Sequence, residues 1–500
     1  MRVPELRTIV VAQARDRKVH GRRWRAGVLA ECWLLRGRRE YGSVVTLYRI
    51  TAPRRRRKDA AMQESYAAAI STASTVLSRA ILTTEGDLRS RVRTLDALIR
   101  DLLREIGRLV FAGVVSDLGR QAVDEAKTTG LTPHRRFVVR YACLFGLVDV
   151  ESLDLYDRKA RRSSRPMQDV LGIGDGGRSL AVERALTEFG SEDSFGLAAR
   201  RFEEHYGWTV DRGCVRRVTR KSAAEAEEWV ASRLVSGEAA FAQSLAQRPG
   251  AGQVLAELDG CEIRTGTLSD DPHDGTTPQR GIPRRRREER WREVRVGLAR
   301  PLDEDDATYV ARMGKYPELV RSVFQAAVSR GLSSRSETIV IADGANGLLE
   351  EMASQFPNAT CILDQFHLVQ HLYEMGDAMG LVDPERVDWV KEMLARLSRG
   401  EVQHVIGKLR EIDGTGSQRA QRLIGYLDRF RRCVHYDAYR ERGFPVGSGE
   451  VESAHRSIPQ RRLKLSGACW HPDSINPMLA LRVVKANDAW NDFWEHKQPA

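Results

Sequence analysis

The sequence predicts a mixed α/β protein in which one sheet of parallel and antiparallel strands is flanked by helices. Strand-like apolar runs begin near residue 252, after an alanine-rich part of the chain with helical spacing of its apolar residues. From about residue 306 onward, strand-like and helical segments alternate, which is typical of strands joined by helices. A chain of 500 residues, 42% hydrophobic and 30% charged, is long enough for two to four globular domains.

The predicted sheet has five strands, and two helices separate the later ones. The strands are placed at about 252–268, 292–301, 306–312, 338–342 and 359–364, and the helices at about 316–331 and 346–355. Three successive strands followed by alternating helices and strands is the order of an RNase H-like fold. We therefore assign 246–365 to the first part of this core, 366–443 to an all-helical insertion, and 444–500 to the last part of the core.

The region before the sheet is predicted to be mainly helical. Residues 59–177 combine helical spacing with a short hairpin near 136–150 and a polar connector. Residues 178–245 have the spacing of a helix-turn-helix, with Ser194 as an N-cap and Gly207 in the turn. A packed helical hairpin with a solvated basic face is the alternative interpretation of this segment.

Basic residues are concentrated at the start of the chain. The net charge is +12, and residues 1–58 hold 17 Lys and Arg against 4 Asp and Glu, so the remainder is nearly neutral. We predict that this segment is a disordered arm that contacts a polyanion; the alternative is that translation starts further downstream. The seven cysteines form no CxxC pair, which predicts neither a disulfide framework nor a zinc site. No apolar run resembles a signal peptide or a membrane span.

Three acidic residues stand where a sheet would bring them to one edge. Asp259 interrupts an apolar strand, Asp343 ends the apolar run Ile339–Ala342, and Glu452 lies at the start of a helix after Gly447-Ser-Gly449. Carboxylates in such positions can hold two divalent cations, and a pair of such cations can catalyse the breaking and joining of phosphodiester bonds. Asp-Gly at a strand end is also a common turn, and a glutamate also suits a helix N-terminus, so only the trio is specific.

Several segments together resemble bacterial insertion-sequence transposases of the Kra and Lre types, relatives of the Mutator-like DDE group. The resemblance runs from about residue 130 to the C-terminus and is strongest over 338–494. The matching segments are Leu258-Asp-Gly260, Ile341-Ala-Asp-Gly-Ala345, Ile362-Leu-Asp-Gln-Phe-His367, Gly447-Ser-Gly-Glu-Val-Glu-Ser453, Gln460-Arg-Arg-Leu-Lys-Leu-Ser-Gly-Ala-Cys-Trp470 and Leu479-Ala-Leu-Arg482.

The resemblance implies an RNase H-like catalytic domain that cuts transposon ends and joins them to target DNA. It implies catalytic and metal-binding roles for Asp259, Asp343 and Glu452, with two Mg²⁺ ions for which Mn²⁺ can substitute. Asp364 and His367 correspond to the family's Asp-x-x-His element, and Glu450 is the second choice for the glutamate. His367 and His371 could share a helix face, but a structural or DNA-contact role is favoured over a metal pair because no third ligand follows at the usual spacing.

Two groups of basic residues are the predicted DNA contacts. Arg212, Arg216 and Arg217 lie on the second helix of the helix-turn-helix, where a side chain can read bases. The second group follows Glu452 and would grip phosphates beside the catalytic ions; a solvated basic helix is the alternative. Its members are Arg456, Arg461, Arg462 and Lys464.

The resulting expectation is a bacterial DDE transposase that acts in the cytoplasm, at the nucleoid, as at least a homodimer on DNA. Two element ends must be held together, which is why a monomer is not expected. The alternatives are a DNA-binding regulator derived from such an enzyme, and an RNase H-like nuclease without strand transfer. The intact acidic trio favours the first.

Overall fold

The computed structural model describes residues 88–170, 177–244, 250–272, 285–356, 358–413 and 417–497, with a few isolated positions before residue 80. The chain divides into two units, Met1–Gln63 and Glu64–Ala500, and all described residues lie in the second. The predicted basic arm, 1–58, therefore lies outside the described residues. Among the described residues, no helix combines the length and the apolar character needed to cross a bilayer.

The first layer of the second unit is a long helix against a small antiparallel sheet. Its elements are α1 (Leu88–Thr128), β1 (Thr132–Cys143), β2 (Gly146–Asp157), β3 (Arg162–Ser164) and α2 (Pro166–Val170). Val115 of α1 packs with Tyr141 and Val150 of the hairpin in a small separate core. The hairpin lies where the sequence predicted one and is longer at both ends.

Three helices follow, α3 (Leu180–Glu192), α4 (Phe195–Tyr206) and α5 (Arg212–Ser244). The Ser194 side chain accepts a hydrogen bond from the Leu197 backbone N–H and starts α4. Gly207 ends it at φ 70°, a left-handed conformation that favours glycine. Leu186, Phe202 and Val215 pack together at the centre of this three-helix group.

The main sheet has five strands in the order β6-β5-β4-β7-β8. Strand β5 is antiparallel to both β4 and β6, whereas β4, β7 and β8 are parallel. The strands are β4 (Gln253–Pro272), β5 (Arg285–Pro301), β6 (Thr308–Arg312), β7 (Glu337–Ala342) and β8 (Ala359–Leu363), with helices α6 (Tyr316–Ser329) and α7 (Leu348–Gln355) between the later ones. The protein is thus mixed α/β, as predicted.

Strands β4 and β5 extend well beyond the rest of the sheet as a two-stranded ribbon. Only Gln253–Leu258 of β4 pairs with β7, while its pairing with β5 continues to Pro272. The sequence analysis began the second strand at about residue 292; instead β5 begins at Arg285, and Arg284 lies outside the described residues. Cross-strand ion pairs such as Arg264 with Glu289 allow this charged segment to remain a strand.

The insertion after β8 is helical throughout its described residues. It comprises α8 (Gln365–Ala378), α9 (Glu385–Ser398), α10 (Val402–Asp413), α11 (Gln418–Arg429) and α12 (Tyr436–Glu441). These helices share one apolar core with β4, β7 and β8. The chain then returns with α13 (Gly449–His455), which continues through a π-helical stretch, Arg456–Gln460, into α14 (Arg461–Leu463). Helices α15 (Ile475–Ala486) and α16 (Trp490–His496) complete the second face, where Trp494 is fully buried.

Candidate active site

Three aspartates lie at the same level of the sheet: Asp343 and Asp364 directly follow β7 and β8, and Asp259 lies within β4, directly after the last residue that pairs with β7. The register aligns the last paired residues, Leu258 with Ala342 and Ala342 with Leu363. The next residues along the chain are Asp259, Asp343 and Asp364. Because adjacent strands lie about 4.8 Å apart, the three backbones leave the parallel sheet side by side at one edge. The sequence placed the first two here as catalytic residues and ranked Asp364 below them.

Asp259 is held between the ribbon and α13. Its backbone pairs with Val296 on β5, and its side chain is only 14% exposed. The His455 ring lies against it, with Nδ1 3.7 Å from the Asp259 Oδ2 atom and Nε2 3.2 Å from the carbonyl oxygen. Burial lowers the pKa of His455 although Asp259 and Glu452 both act to raise it. Asp259 and Glu452 are therefore both within electrostatic reach of the same imidazole ring.

Asp343 ends β7 in a half-buried position. Its Oδ1 atom accepts a hydrogen bond from the Ala345 backbone N–H at 3.3 Å. Burial raises the pKa of Asp343, and the nearby Asp259 and Asp364 carboxylates raise it further. The neighbouring His367 acts in the opposite direction. Such mutual repulsion among acids is the condition that a cation would relieve.

Asp364 is buried and fully engaged by protein donors. It caps α8 by accepting from the Phe366 backbone N–H at 2.9 Å, it accepts from the Ser448 hydroxyl, and the His367 Nδ1 atom lies 2.9 Å from its Oδ2 atom. Burial opposes ionisation, but these hydrogen bonds outweigh it and hold the pKa of Asp364 below its usual value. The same bond to Asp364 raises the pKa of His367, which Asp259 and Asp343 also raise. The Asp-x-x-His element thus places an imidazole beside the row formed by Asp259, Asp343 and Asp364, which we call the acidic row.

The two glutamates of α13 have different environments. Glu450 forms a two-pronged ion pair with Arg300 of β5, whose side chain is 11% exposed, at 2.9 and 2.5 Å. Glu452 lies on the exposed surface, and within the described part of the chain its carboxylate has no hydrogen-bond or ion-pair partner. Of these two carboxylates, only that of Glu452 is free to take a further ligand.

Two further acids belong to this region, and sequence reasoning missed both. Glu257, two residues before Asp259 on the same side of β4, is 1% exposed, and burial raises its pKa to about 8. Glu293 on β5 is half-buried, and burial together with the Asp343 and Asp259 carboxylates raises its pKa, against the effect of its ion pair with Arg295. The alternation of residues along β4 could have indicated Glu257, whereas Glu293 lies in a charged run with no distinguishing pattern.

The donor set suits a hard divalent cation because it consists of carboxylate oxygens. Asp259, Asp343 and Glu452 come from two adjacent strand ends and the helix packed on them. As placed, these side chains do not form a complete set of metal ligands. Among the described residues, no three Asp, Glu, His or Cys side chains are positioned to hold an ion together. His371 packs against the Tyr426 ring at 4.9 Å, in line with a structural role.

The helical insertion closes over the end of β7. A Cβ atom on Gly344 would lie 2.5 Å from the rings of Tyr426 and Phe430, so only glycine allows this approach. Burial raises the pKa of Tyr426, and the nearby Asp343 and Asp364 act in the same direction. Helix α11 of the insertion therefore covers one side of the acidic row.

The basic residues after Glu452 divide into two kinds. Arg456 and Lys464 are exposed, and Arg461 is exposed but paired with Glu192 at 2.5 Å. Arg462 is only 3% exposed: it donates to the Gly190 carbonyl at 2.9 Å and stacks between Phe195 and Trp470 at ring distances of 4.7 and 4.6 Å. The prediction that Arg462 contacts DNA is therefore wrong in this arrangement.

The first turns of α5 present a basic surface. Asp211 accepts a hydrogen bond from the Cys214 backbone N–H at 2.9 Å, which fixes the start of the helix. Val215 and Val218 of α5 face the core. The opposite side carries exposed cations, and within the described residues none of them has an ion-pair partner. They are Arg212, Arg216, Arg217, Arg220 and Lys221.

No protein-family model matches the chain, and no curated protein is significantly similar to it. The functional interpretation therefore rests on the arrangement of these residues.

Proposed function

We propose that the protein is a DNA transposase of the DDE type, which cleaves the ends of a mobile element and joins them to target DNA. The observation that carries the proposal is the alignment of Asp259 and Asp343 at one level of the sheet, directly after the last pair that β4 and β7 form with each other. The helix that bears Glu452 is packed on the same strand through His455. Carboxylates so placed are what two-metal phosphoryl transfer requires.

The strand order supports the proposal. A meander of three strands followed by two parallel strands, in the order β6-β5-β4-β7-β8, is the order expected of an RNase H-like sheet. The helical insertion lies between the last strand and the helix of Glu452, where the resemblance to insertion-sequence transposases places one. The exposed cations of α5 support recognition of a DNA duplex, because helix-turn-helix proteins place such a helix in the major groove.

In this proposal, Asp259, Asp343 and Glu452 hold the cations, and the other residues position them. Two bound Mg²⁺ ions would activate the attacking hydroxyl and stabilise the leaving oxygen. Ser448 and His367 hold Asp364 by hydrogen bonds, and this fixes the helix start beside the sheet edge. Because Arg300 forms an ion pair with Glu450, Glu452 is the available carboxylate of α13. Lys464 adds positive charge where the phosphate backbone would pass.

A cleavage and joining assay tests the proposal. The full chain is incubated with Mg²⁺ and a plasmid carrying the DNA that flanks its coding region, and with a second plasmid as target. We expect nicks at defined positions and joined products, both abolished by chelation and by Asp343→Asn. Specific binding without nicking would instead indicate a regulator, and nicking without joining would indicate a nuclease.

A further inference from the structure

The ribbon of β4 and β5 forms one wall of an open cleft. The other wall is the turn that follows α14. The cleft has a volume of about 620 Å³, and its walls include Arg264, Glu289 and Trp291 on the ribbon and Lys464 and Ser466 on the turn.

The cleft is rigid because the turn is bonded to the ribbon. The Gly266 backbone N–H donates to the Trp470 carbonyl at 2.8 Å, and the Trp470 N–H donates to the Arg264 carbonyl at 3.1 Å. A Cβ atom on Gly266 would lie 2.8 Å from the Cys469 sulfur, so the two walls are in close contact below the cleft. Arg462 stacks on the Trp470 ring from behind.

Trp291 is the distinctive residue of the cleft. Its side chain is 64% exposed, whereas Trp470 and Trp494 are 9% and 1% exposed. It lies opposite Arg264 in the ribbon, and no aromatic ring or cation of the described residues covers its face. An exposed indole offers a flat apolar face on which a planar ligand can stack.

The charge around the indole favours an anion. Glu289 is the acidic residue of the cleft, and it is neutralised by Arg264 at 2.9 Å and approached by Arg287 at 3.5 Å. Lys464 is exposed and remains available. Burial lowers the pKa of His455, which contacts Asp259, and Lys464 lowers it further.

The cleft lies further along the ribbon than the acidic row: Trp291 pairs with Arg264, whereas Asp259 pairs with Val296, which is about 16 Å away along β5. Trp291 and Glu293 are two residues apart on the same face of β5, about 6.6 Å along the strand. The Glu293 carboxyl is within electrostatic reach of both Asp259 and Asp343. A DNA strand with one nucleotide on Trp291 would therefore run along the ribbon past Glu293 towards the acidic row.

We propose that this cleft binds one unpaired nucleotide of a DNA strand that continues towards the acidic row. Its base stacks on Trp291, and Lys464 pairs with its phosphate. Stacking on an aromatic ring accepts any base, so the site selects an unpaired strand without reading its sequence. The inference rests on the proposed function, since it takes the acidic row as the place of cleavage.

The test compares binding of the full chain to a blunt duplex and to the same duplex with a five-nucleotide thymidine tail, in chelator so that no cleavage occurs. We expect Trp291→Ala to weaken binding of the tailed duplex at least about fivefold, and to leave binding of the blunt duplex unchanged. Trp291→Phe should retain most of the affinity. Leu268→Ala, an equally exposed side chain on the same ribbon, is the control and should change neither.

Equal binding of the tailed duplex by the wild type and Trp291→Ala would overturn the proposal, as would equal losses for both duplexes. Trp291→Leu provides a second variant, with the same selective loss expected if Trp291→Ala does not fold. Binding and cleavage are measured separately. If Trp291→Ala selectively loses tail binding while the wild type does not nick DNA in the Mg²⁺ assay, the proposed function is rejected and the nucleotide site is kept.

Discussion

The Val451 backbone N–H donates a 3.0 Å hydrogen bond to the Glu257 carboxyl group, although the two residues are 194 positions apart. This bond ties the first turn of the helix that carries Glu452 to the strand that carries Asp259. Because burial raises the pKa of Glu257 to about 8, its carboxyl group is mainly protonated at neutral pH, which makes a buried position tolerable. Glu257 therefore serves to position the helix, and Asp259 and Glu452 remain for the ligand.

Asp259→Asn should abolish cleavage in Mg²⁺ while leaving binding of element ends nearly intact. The change removes one carboxylate of the acidic row and does not touch the exposed face of α5. A gel shift and a nicking reaction on the same duplex measure the two effects. Asp303→Asn, an exposed carboxylate in the loop after β5, is the matched control. Nicking at the wild-type rate would rule out Asp259 as a ligand.

Glu452→Gln should reduce nicking and leave stability unchanged, whereas Glu450→Gln should reduce stability. The Glu452 change should remove nicking with little effect on thermal stability, because its carboxylate has no partner in the described residues. The Glu450 change breaks the pair with the largely buried Arg300 and should lower stability by about 1–2 kcal/mol. Nicking rates and denaturant unfolding measure these effects. Retained nicking in Glu452→Gln, with loss in a folded Glu450→Gln, would reverse the assignment.

Replacing Arg216 and Arg217 with alanine should weaken DNA binding. A bidentate arginine–guanine contact discriminates by about 1–3 kcal/mol, whereas a phosphate contact weakens all sequences alike. Comparing the element end with random duplex separates these cases. Arg158→Ala, an exposed arginine in the turn after β2, is the control. If both affinities stay unchanged, the helices around Gly207 serve only for packing.

Glu192 should stabilise the protein in a pH-dependent way. Burial opposes its ionisation, but Lys485 and Arg482 outweigh that effect and lower the pKa of Glu192. Stability from these contacts, to which Arg461 adds a further ion pair, is present above the ordinary value of 4.5 and is lost as the pH falls below it. The difference in melting temperature between wild type and Glu192→Gln should therefore be large at pH 7 and shrink toward pH 4. A difference that stays constant would contradict this account.

Most of the sheet could be predicted because its strands carry continuous apolar runs, and the run before Asp343 corresponds to β7 within one residue. The length of the ribbon could not be predicted, since Arg285–Arg290 consists only of charged residues and its strand state depends on pairing with the other half of the hairpin. The burial of Arg462 could not be predicted from the sequence either. An arginine in a basic run indicates an exposed side chain, and only its packing against Phe195 and Trp470 places it inside the protein.

The acidic positions could be proposed from strand ends, but their surroundings could not. Glu450 and Glu452 are two residues apart in one helix, and nothing local distinguishes them. The difference comes from Arg300, about 150 positions away on β5. Likewise, the protonated state of Glu257 depends on burial by elements distant in sequence.

Under the proposed function, helix α5 has a consequence for where DNA would be cut. Its first turns belong to the three-helix group, while Ala223 and Ala226 are buried in the core of the sheet, so one continuous helix spans both. The 33 residues of α5 extend over about 50 Å at 1.5 Å each. In the proposed transposase, one continuous helix would set a constant interval, in base pairs, between the sequence that is bound and the bond that is broken. Changing the length of the helix would move the cut relative to the bound sequence.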